Sequence, residues 1–194
     1  MSKPLVVLTV VLPALAILLF AGGTTRDGVL TGRGRPPAPA VPRAWVPKAK
    51  SERWECIVIH HSATDFGGAR RFDRAHRERG FDELGYHFVI GNGTDTADGQ
   101  VEVGPRWRVQ KYGAHCRSPQ DYYNEHGIGV CLVGNFDEDR PTAAQMDSLK
   151  KLVRHLSKTY DIPPNKIYSH GGVTGMTHCP GKNFDLKALR KAVR

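Results

Sequence analysis

Long apolar runs are scarce in this 194-residue chain: only residues 5–21 (LVVLTVVLPALAILLFA) qualify, which excludes a polytopic membrane protein. Acidic residues are almost missing from the first 50 positions, where Asp27 stands alone against seven Lys/Arg. No cysteine stands directly after the apolar run, which argues against a lipoprotein anchor. No internal repeat is visible, so a solenoid or propeller array is not indicated. What remains is rich enough to fold. With 40% hydrophobic and 24% charged residues, most of the chain can bury a core, and neither disorder throughout nor a collagen-like fibre fits.

Composition divides the chain in two. Seven of the 13 prolines fall in the first 50 residues. That segment carries a net charge of +6, and the rest, with 21 basic and 18 acidic residues, only +3. The high net charge is therefore mostly a property of the tail. It reads as a solvated stretch near an anionic surface, and no nucleic-acid partner is expected. Residues 1–23 read as a signal peptide or a membrane anchor. Lys3 precedes the apolar run, Ala21-Gly22-Gly23 offers a cleavage site, and Pro13 makes the run a marginal span. Arg26, Arg33 and Arg35 after the run favour a cytoplasmic tail, with Lys3 and the amino terminus opposing them. Residues 24–50 read as a Pro-rich basic linker, because prolines among small residues build neither helix nor sheet. Residues 51–194 are left as one domain.

Within that domain, periodicity predicts strands at 54–61, 85–92, 127–135 and 166–170, with 100–103 as a short hairpin partner. Helices are predicted at 68–79, with Phe72 and Ala75 inward and Gly80 as terminator, and at 185–193, capped by Asp185. Between them, Thr142 and Gln145 form a capping box ahead of Met146, Leu149, Leu152, Val153 and Leu156 at helical spacing. Strands interleaved with helices imply an α/β domain on a central sheet.

Three features carry chemistry. His60 and His61 end an apolar strand, and alternation sends only one of them toward any given face. His170 ends another strand, with Cys179 nine residues on after a Gly-rich loop, GGVTGMTHCPG. Tyr86-His87 begins a further strand. Two histidines and a cysteine at strand ends fit a three-ligand zinc site with an open fourth position, the catalytic form. Histidines also end strands for structural reasons. Cys179 equally fits a structural thiol or, with a histidine close by, a hydrolase nucleophile.

The stretches IVIHHSAT (57–64), ELGYHFVIGNGT (83–94), YGAHC (112–116), NEHGIGVCLVGNF (124–136) and THCPGKNFDL (177–186) occur in the order seen in zinc N-acetylmuramoyl-L-alanine amidases. The chain resembles that family, which includes the T7 lysozyme type and the peptidoglycan recognition proteins, over about residues 54–190. The resemblance implies a central mixed β-sheet flanked by helices, with a zinc groove at one face. It implies hydrolysis of the amide between N-acetylmuramic acid and L-alanine in peptidoglycan. By the same resemblance His60, His170 and Cys179 are the Zn²⁺ ligands, Tyr86 and Thr177 stand beside the metal as catalytic hydroxyls, and His115 is a groove histidine near substrate. Zinc suits the reaction because it polarises an amide oxygen and activates water at neutral pH, while the developing oxyanion needs donors.

The chain departs from the family pattern in places. The loop from His170 to Cys179 is one residue longer than the family spacing. His178, beside Cys179, is either a proton donor or a loop residue. Some related amidases place a Glu in the strand matching GIGVCLVG; here Cys131 and Val133 stand there, so the chain falls with the subgroup relying on tyrosine. A recognition module that binds muropeptides without cutting them lacks one or more ligands, commonly the cysteine, and Cys179 is present. A regulatory interaction protein is the other rival, opposed by the export segment. Cys56, Cys116 and Cys131 leave an odd thiol if two pair, and the pairing is open. Since peptidoglycan lies outside the cytoplasm, the expected location is the periplasm or cell envelope, secreted or tethered, with an N-terminal membrane contact if the leader is uncleaved. A monomer is expected.

Overall fold

The computed structural model describes residues 40–117 and 121–193. The leader or anchor assigned to residues 1–23, and most of the proline-rich stretch, lie outside the described residues. Among the described residues no helix is long and apolar enough to cross a membrane.

In chain order the elements are β1 (Cys56–His61), α1 (Ala69–Glu78), β2 (Phe88–Ile90), β3 (Val101–Val103), α2 (Pro105–Arg108), α3 (Tyr122–Glu125), β4 (Gly127–Leu132), α4 (Ala143–Tyr160), β5 (Ile167–Ser169), α5 (His170–Thr174) and α6 (Leu186–Ala192). The strands make one five-stranded sheet in the order β3-β2-β4-β1-β5. β1 pairs in parallel with β4 and β5, β2 is parallel to β4, and β2 with β3 is antiparallel. The sheet is therefore mixed, as expected. Central β1 and β4 are buried along their whole length, which is why they read as near-continuous apolar runs rather than alternating ones.

Alternation still sorts the two faces. Ile57, Ile59, Ile128, Val130 and Leu132 point to one side and join Leu149, Leu152, Val153 and Leu156 of α4 and Leu189 of α6 in the main core. Each such side chain contributes about 1.5–3 kcal/mol on burial. On the other side, Val89 and Cys131 pack with Phe72 of α1 and Leu84, with Tyr86 against them. That second core is small and covers only part of its face, and the site lies beside it.

The long helix starts where the capping box places it. Thr142 Oγ1 accepts from the Gln145 amide at 3.0 Å, and Gln145 Oε1 accepts from the Thr142 amide at 3.1 Å. The Gln145 side-chain amide also donates to Val133 O at 2.8 Å, so the cap ties α4 to the end of β4. The Asp185 carboxylate accepts from the Ala188 amide at 2.8 Å and caps α6 as expected.

Four sequence expectations are adjusted. β2 covers only 88–90: before it, the Gly85 amide is spent on the His76 side chain, at 2.9 Å from Nδ1, instead of on a neighbouring strand. β4 ends at Leu132 rather than near 135, because Gly134 turns the chain with φ of 148°. The stretch after His170 opens with a five-residue helix, α5, instead of a loop. Finally, the linker ends before residue 50. Trp45 sits in the main core and its carbonyl accepts from Trp107 Nε1 at 3.0 Å, so the packed unit includes part of the proline-rich stretch. One large aromatic outweighs the local proline signal.

Candidate metal centre

His60 and Cys131 are register partners in adjacent parallel strands, so their side chains share the face that carries the smaller core. His61 points the opposite way, where its Nδ1 accepts from the Phe136 amide at 3.1 Å. His170 arrives by a different device. Ser169 Oγ accepts from the Gly172 amide at 3.1 Å and starts α5, which places His170 in its first turn. His170 therefore begins a helix rather than ending a strand. The turn that follows needs Gly171, since a Cβ there would sit 2.1 Å from Thr177 O. It brings Cys179 back so that the Gly171 amide donates to Cys179 O at 2.7 Å.

The three elements converge. Donor atoms of His60, His170 and Cys179 all lie within 4.8 Å of one another. The His60 and His170 ring centroids are 4.6 Å apart, and Cys179 Sγ lies 3.9 Å from His60 Nδ1. The tautomer of His60 follows from its other nitrogen. Its Nε2 is 3.1 Å from His115 Nδ1, and His115 Nε2 is 3.2 Å from Gly127 O. A carbonyl can only accept, so His115 carries its proton on Nε2 and offers Nδ1 as acceptor. His60 then donates from Nε2 and keeps an Nδ1 lone pair facing Cys179 and His170. Gly129 makes room for this pair, since a Cβ there would meet the His115 ring at 2.3 Å.

The electrostatics of the polypeptide alone are those of a neutral site. Burial, then the neighbouring His115 and His170, hold His60 well below the usual histidine range. Burial holds His115 down to about 3 and pushes the Cys179 thiol up to about 12. The His61 amide donates to Cys179 Sγ at 3.3 Å, which favours the thiolate once a cation is near. Two neutral imidazoles and one thiol converge, with His60 held from behind by His115 and Cys179 by the His61 amide, and the set fits a tetrahedral Zn²⁺ with one position left open.

Tyr86 covers this cluster, its ring centroid 5.2 Å from that of His60. Burial, then the nearby Cys131 and Cys179 thiols, hold its hydroxyl proton well above the ordinary tyrosine range. The phenol is thus a donor at neutral pH. Thr177 is half-buried, and its Oγ1 accepts from the Cys179 amide at 3.1 Å, leaving its own proton to donate. His115 differs from expectation: it is 8% exposed with both ring nitrogens engaged, so it lies beneath His60 rather than in an open groove. His178 is exposed at the loop surface. All four cysteines are free and buried.

Sequence reading gave no role at the site to three residues near it, and did not name Arg106 at all. His87, buried behind His115, accepts from the Gly129 amide through Nδ1 at 2.9 Å and holds Lys111 O through Nε2 at 3.0 Å. Buried Arg106 donates to Leu84 O at 2.7 Å and Tyr112 O at 2.8 Å and pairs with Asp82, fixing the segment that carries Tyr86. Cys131 touches Tyr86 from the sheet. Strand parity could have found Cys131, which follows the same alternation as His60; nothing local marks Arg106, whose acceptors lie on distant segments.

The chain is similar to known proteins in sequence and in fold. The family described as N-acetylmuramoyl-L-alanine amidase matches residues 50–182. The endolysin of Escherichia phage T7 is 36% identical over 144 residues, covering 70% of this chain and 85% of that protein. A peptidoglycan-recognition protein of Drosophila simulans is 28% identical over 186 residues, covering 90% of this chain and 92% of its own. Among solved structures, the N-acetylmuramoyl-L-alanine amidase LysC from Clostridium intestinale URNW superposes with a TM-score of 0.61 at 30% identity, covering 73% of this chain and 87% of that one.

Proposed function

The chain belongs to the N-acetylmuramoyl-L-alanine amidase family, and from that premise we propose that it is a zinc enzyme hydrolysing the amide between N-acetylmuramic acid and L-alanine in peptidoglycan. The observation that carries the reading is the convergence of His60, His170 and Cys179 donors within 4.8 Å. A zinc ion held there would supply Lewis acidity toward the scissile carbonyl and toward water.

The remaining work falls to the chain's own groups. His115 holds the His60 ring and its tautomer through the 3.1 Å hydrogen bond. The Tyr86 hydroxyl, kept protonated by its buried surroundings, donates to the oxyanion as the carbonyl becomes tetrahedral. Thr177 fixes the Cys179 backbone and offers a second hydroxyl on the loop side. Water adds to the lactyl carbonyl carbon, the C–N bond breaks, and the freed L-alanine amine takes a proton. The substrate lies outside the cytoplasm, so the same reading makes residues 1–23 an export segment, cleaved or retained as an anchor, and places the domain in the periplasm or cell envelope.

The test uses the purified chain and purified peptidoglycan, with and without a chelator and with zinc restored. Stem peptides beginning at L-alanine, released only when metal is present, are the expected products by mass spectrometry. Intact wall with measurable binding would overturn the enzyme reading and favour a recognition module. Release that survives complete chelation would overturn the metal assignment.

A further inference from the structure

On the side of the sheet opposite the metal cluster, α4 and α6 form a basic surface. Four Lys/Arg lie on α4 and three on α6, against a single acid, Asp147, which is matched by Lys150 at 3.4 Å. Lys151, Arg154 and Lys158 recur at helical spacing along the exposed side of α4, and Lys187 and Lys191 are exposed on α6. The Arg154 guanidinium donates to Ala192 O at 2.6 and 2.9 Å, which joins the two rows into one patch. At its α6 end the patch is concave. A pocket of about 410 Å³ is lined there by Pro164, Asn165, Lys187, Arg190 and Lys191, with no acidic residue. Two hydrogen bonds to Ile167 O, at 2.6 and 2.8 Å, fix the Arg190 guanidinium in it. Among the described residues no carboxylate pairs with Lys151, Arg154, Lys158, Lys187, Arg190 or Lys191. Helix α1, on the other side, differs: two of its four arginines, Arg71 and Arg77, are matched by Asp95 and Asp73.

Three cations around one acid-free pocket suit a phosphate group. The further cations along α4 suit a surface that presents many phosphates side by side. Two observations choose the source. The linker joins the domain beside this surface: Trp45 lies against His155 of α4, ring centroids 6.2 Å apart, and the Lys50 ammonium is 5.4 Å from the Tyr160 ring. The apolar run at 5–21 precedes that linker in the chain. The metal cluster, in turn, lies on the other face of the sheet. A phosphate-bearing wall polymer held on α4 and α6 would turn the cluster away from the wall, whereas a bilayer held there leaves the cluster facing it.

We propose that the α4–α6 surface docks on an acidic phospholipid bilayer, with Lys187, Arg190 and Lys191 holding a headgroup phosphate and Lys151 and Lys158 lying over neighbouring headgroups, so that the domain rests with its metal cluster turned away from the membrane. The contact is electrostatic and acts whether residues 1–23 are cleaved or retained. Only the value of that orientation rests on the amidase reading; the lipid contact is measured without turnover and fails separately from it.

The experiment places a fluorophore on the full chain through Ala188→Cys on α6 or Glu78→Cys on α1, both exposed, while the four native cysteines are buried. Energy transfer to a labelled lipid is read on phosphatidylcholine vesicles with and without phosphatidylglycerol. With phosphatidylglycerol the α6 probe should transfer strongly and the α1 probe weakly; without it, or in high salt, the difference should vanish. Lys187→Gln with Lys191→Gln should lower the lipid-facing population about 30-fold, at about fivefold per charge near an anionic surface. Lys187→Arg with Lys191→Arg should keep it, and Arg70→Gln with Arg74→Gln, which removes the same charge from α1, should leave it unchanged. Equal or absent transfer from the two probes on acidic vesicles, or an equal loss in the α1 pair, would overturn the proposal. So would release of the α6 probe from the vesicles by a soluble glycerol-phosphate polymer at matched phosphate, which would assign the surface to a wall polymer.

Discussion

Replacing His115 separates two jobs that one ring performs. Its Nδ1 orients a metal ligand, at 3.1 Å from His60 Nε2; its Nε2 satisfies a buried carbonyl, at 3.2 Å from Gly127 O. The amide of asparagine falls near the Nδ1 position and that of glutamine near the Nε2 position. His115→Asn therefore keeps an acceptor for His60 and leaves Gly127 O unmatched. His115→Gln keeps a donor for Gly127 and leaves the His60 Nε2–H unmatched. Loss of a group that orients a metal ligand costs about 10–100-fold in metal affinity. An unmatched buried carbonyl costs about 1–3 kcal/mol of stability. Zinc affinity, read by competition with a chromophoric chelator, should thus fall 10–100-fold in the glutamine variant and stay near wild type in the asparagine variant. Stability in chelator, read by urea unfolding, should fall mainly in the asparagine variant. The opposite pattern, or equal zinc affinity in all three proteins, would refute the tautomer assignment and with it the fit of the donor set.

Other outcomes follow from the same contacts. Tyr86→Phe should lower turnover about 10²–10³-fold, the scale of losing one oxyanion donor, while zinc affinity by the same competition stays unchanged. Burial holds His87 at about 4, below its unfolded value near 6.5. Between those values the unfolded chain binds the extra proton, so this group's contribution is full above 6.5 and is lost as pH falls toward 4. Going from pH 6.5 to 5.5 should cost about 1 kcal/mol from this residue, seen as a fall in the urea midpoint that His87→Gln reduces. Thr142→Ala removes the acceptor for the Gln145 amide and should cost about 1 kcal/mol in thermal unfolding, with zinc affinity untouched.

The parts legible in the sequence were those written in short-range patterns. The capping box at Thr142 and Gln145, the apolar run of β1 and the spacing of Leu149, Leu152, Val153 and Leu156 all carry their signal within a few residues, and each element formed where expected. The parts that were not legible depend on contacts far apart in the chain. Gly171 and Gly172 have low helix propensity, so α5 stayed hidden behind what read as a loop. Trp45 stands among prolines, and only its partner Trp107, 62 residues on, draws it into the core. His115 is a buried support for His60 because Gly129 leaves it space, a fact no local pattern announces. The cluster of His60, His170 and Cys179 lies between: strand parity allows only one of His60 and His61 on the site's face, the family resemblance names His60, and only the fold brings the other two to it.

The most direct test of the central claim is to let the zinc-loaded chain digest peptidoglycan in ¹⁸O-labelled water and to locate the label by mass spectrometry. Amidase chemistry predicts one ¹⁸O in the lactyl carboxylate of N-acetylmuramic acid and an unlabelled, free L-alanine amine on the released stem. Label at a glycosidic carbon or at a carboxyl within the stem peptide, or no labelled product at all, would contradict it.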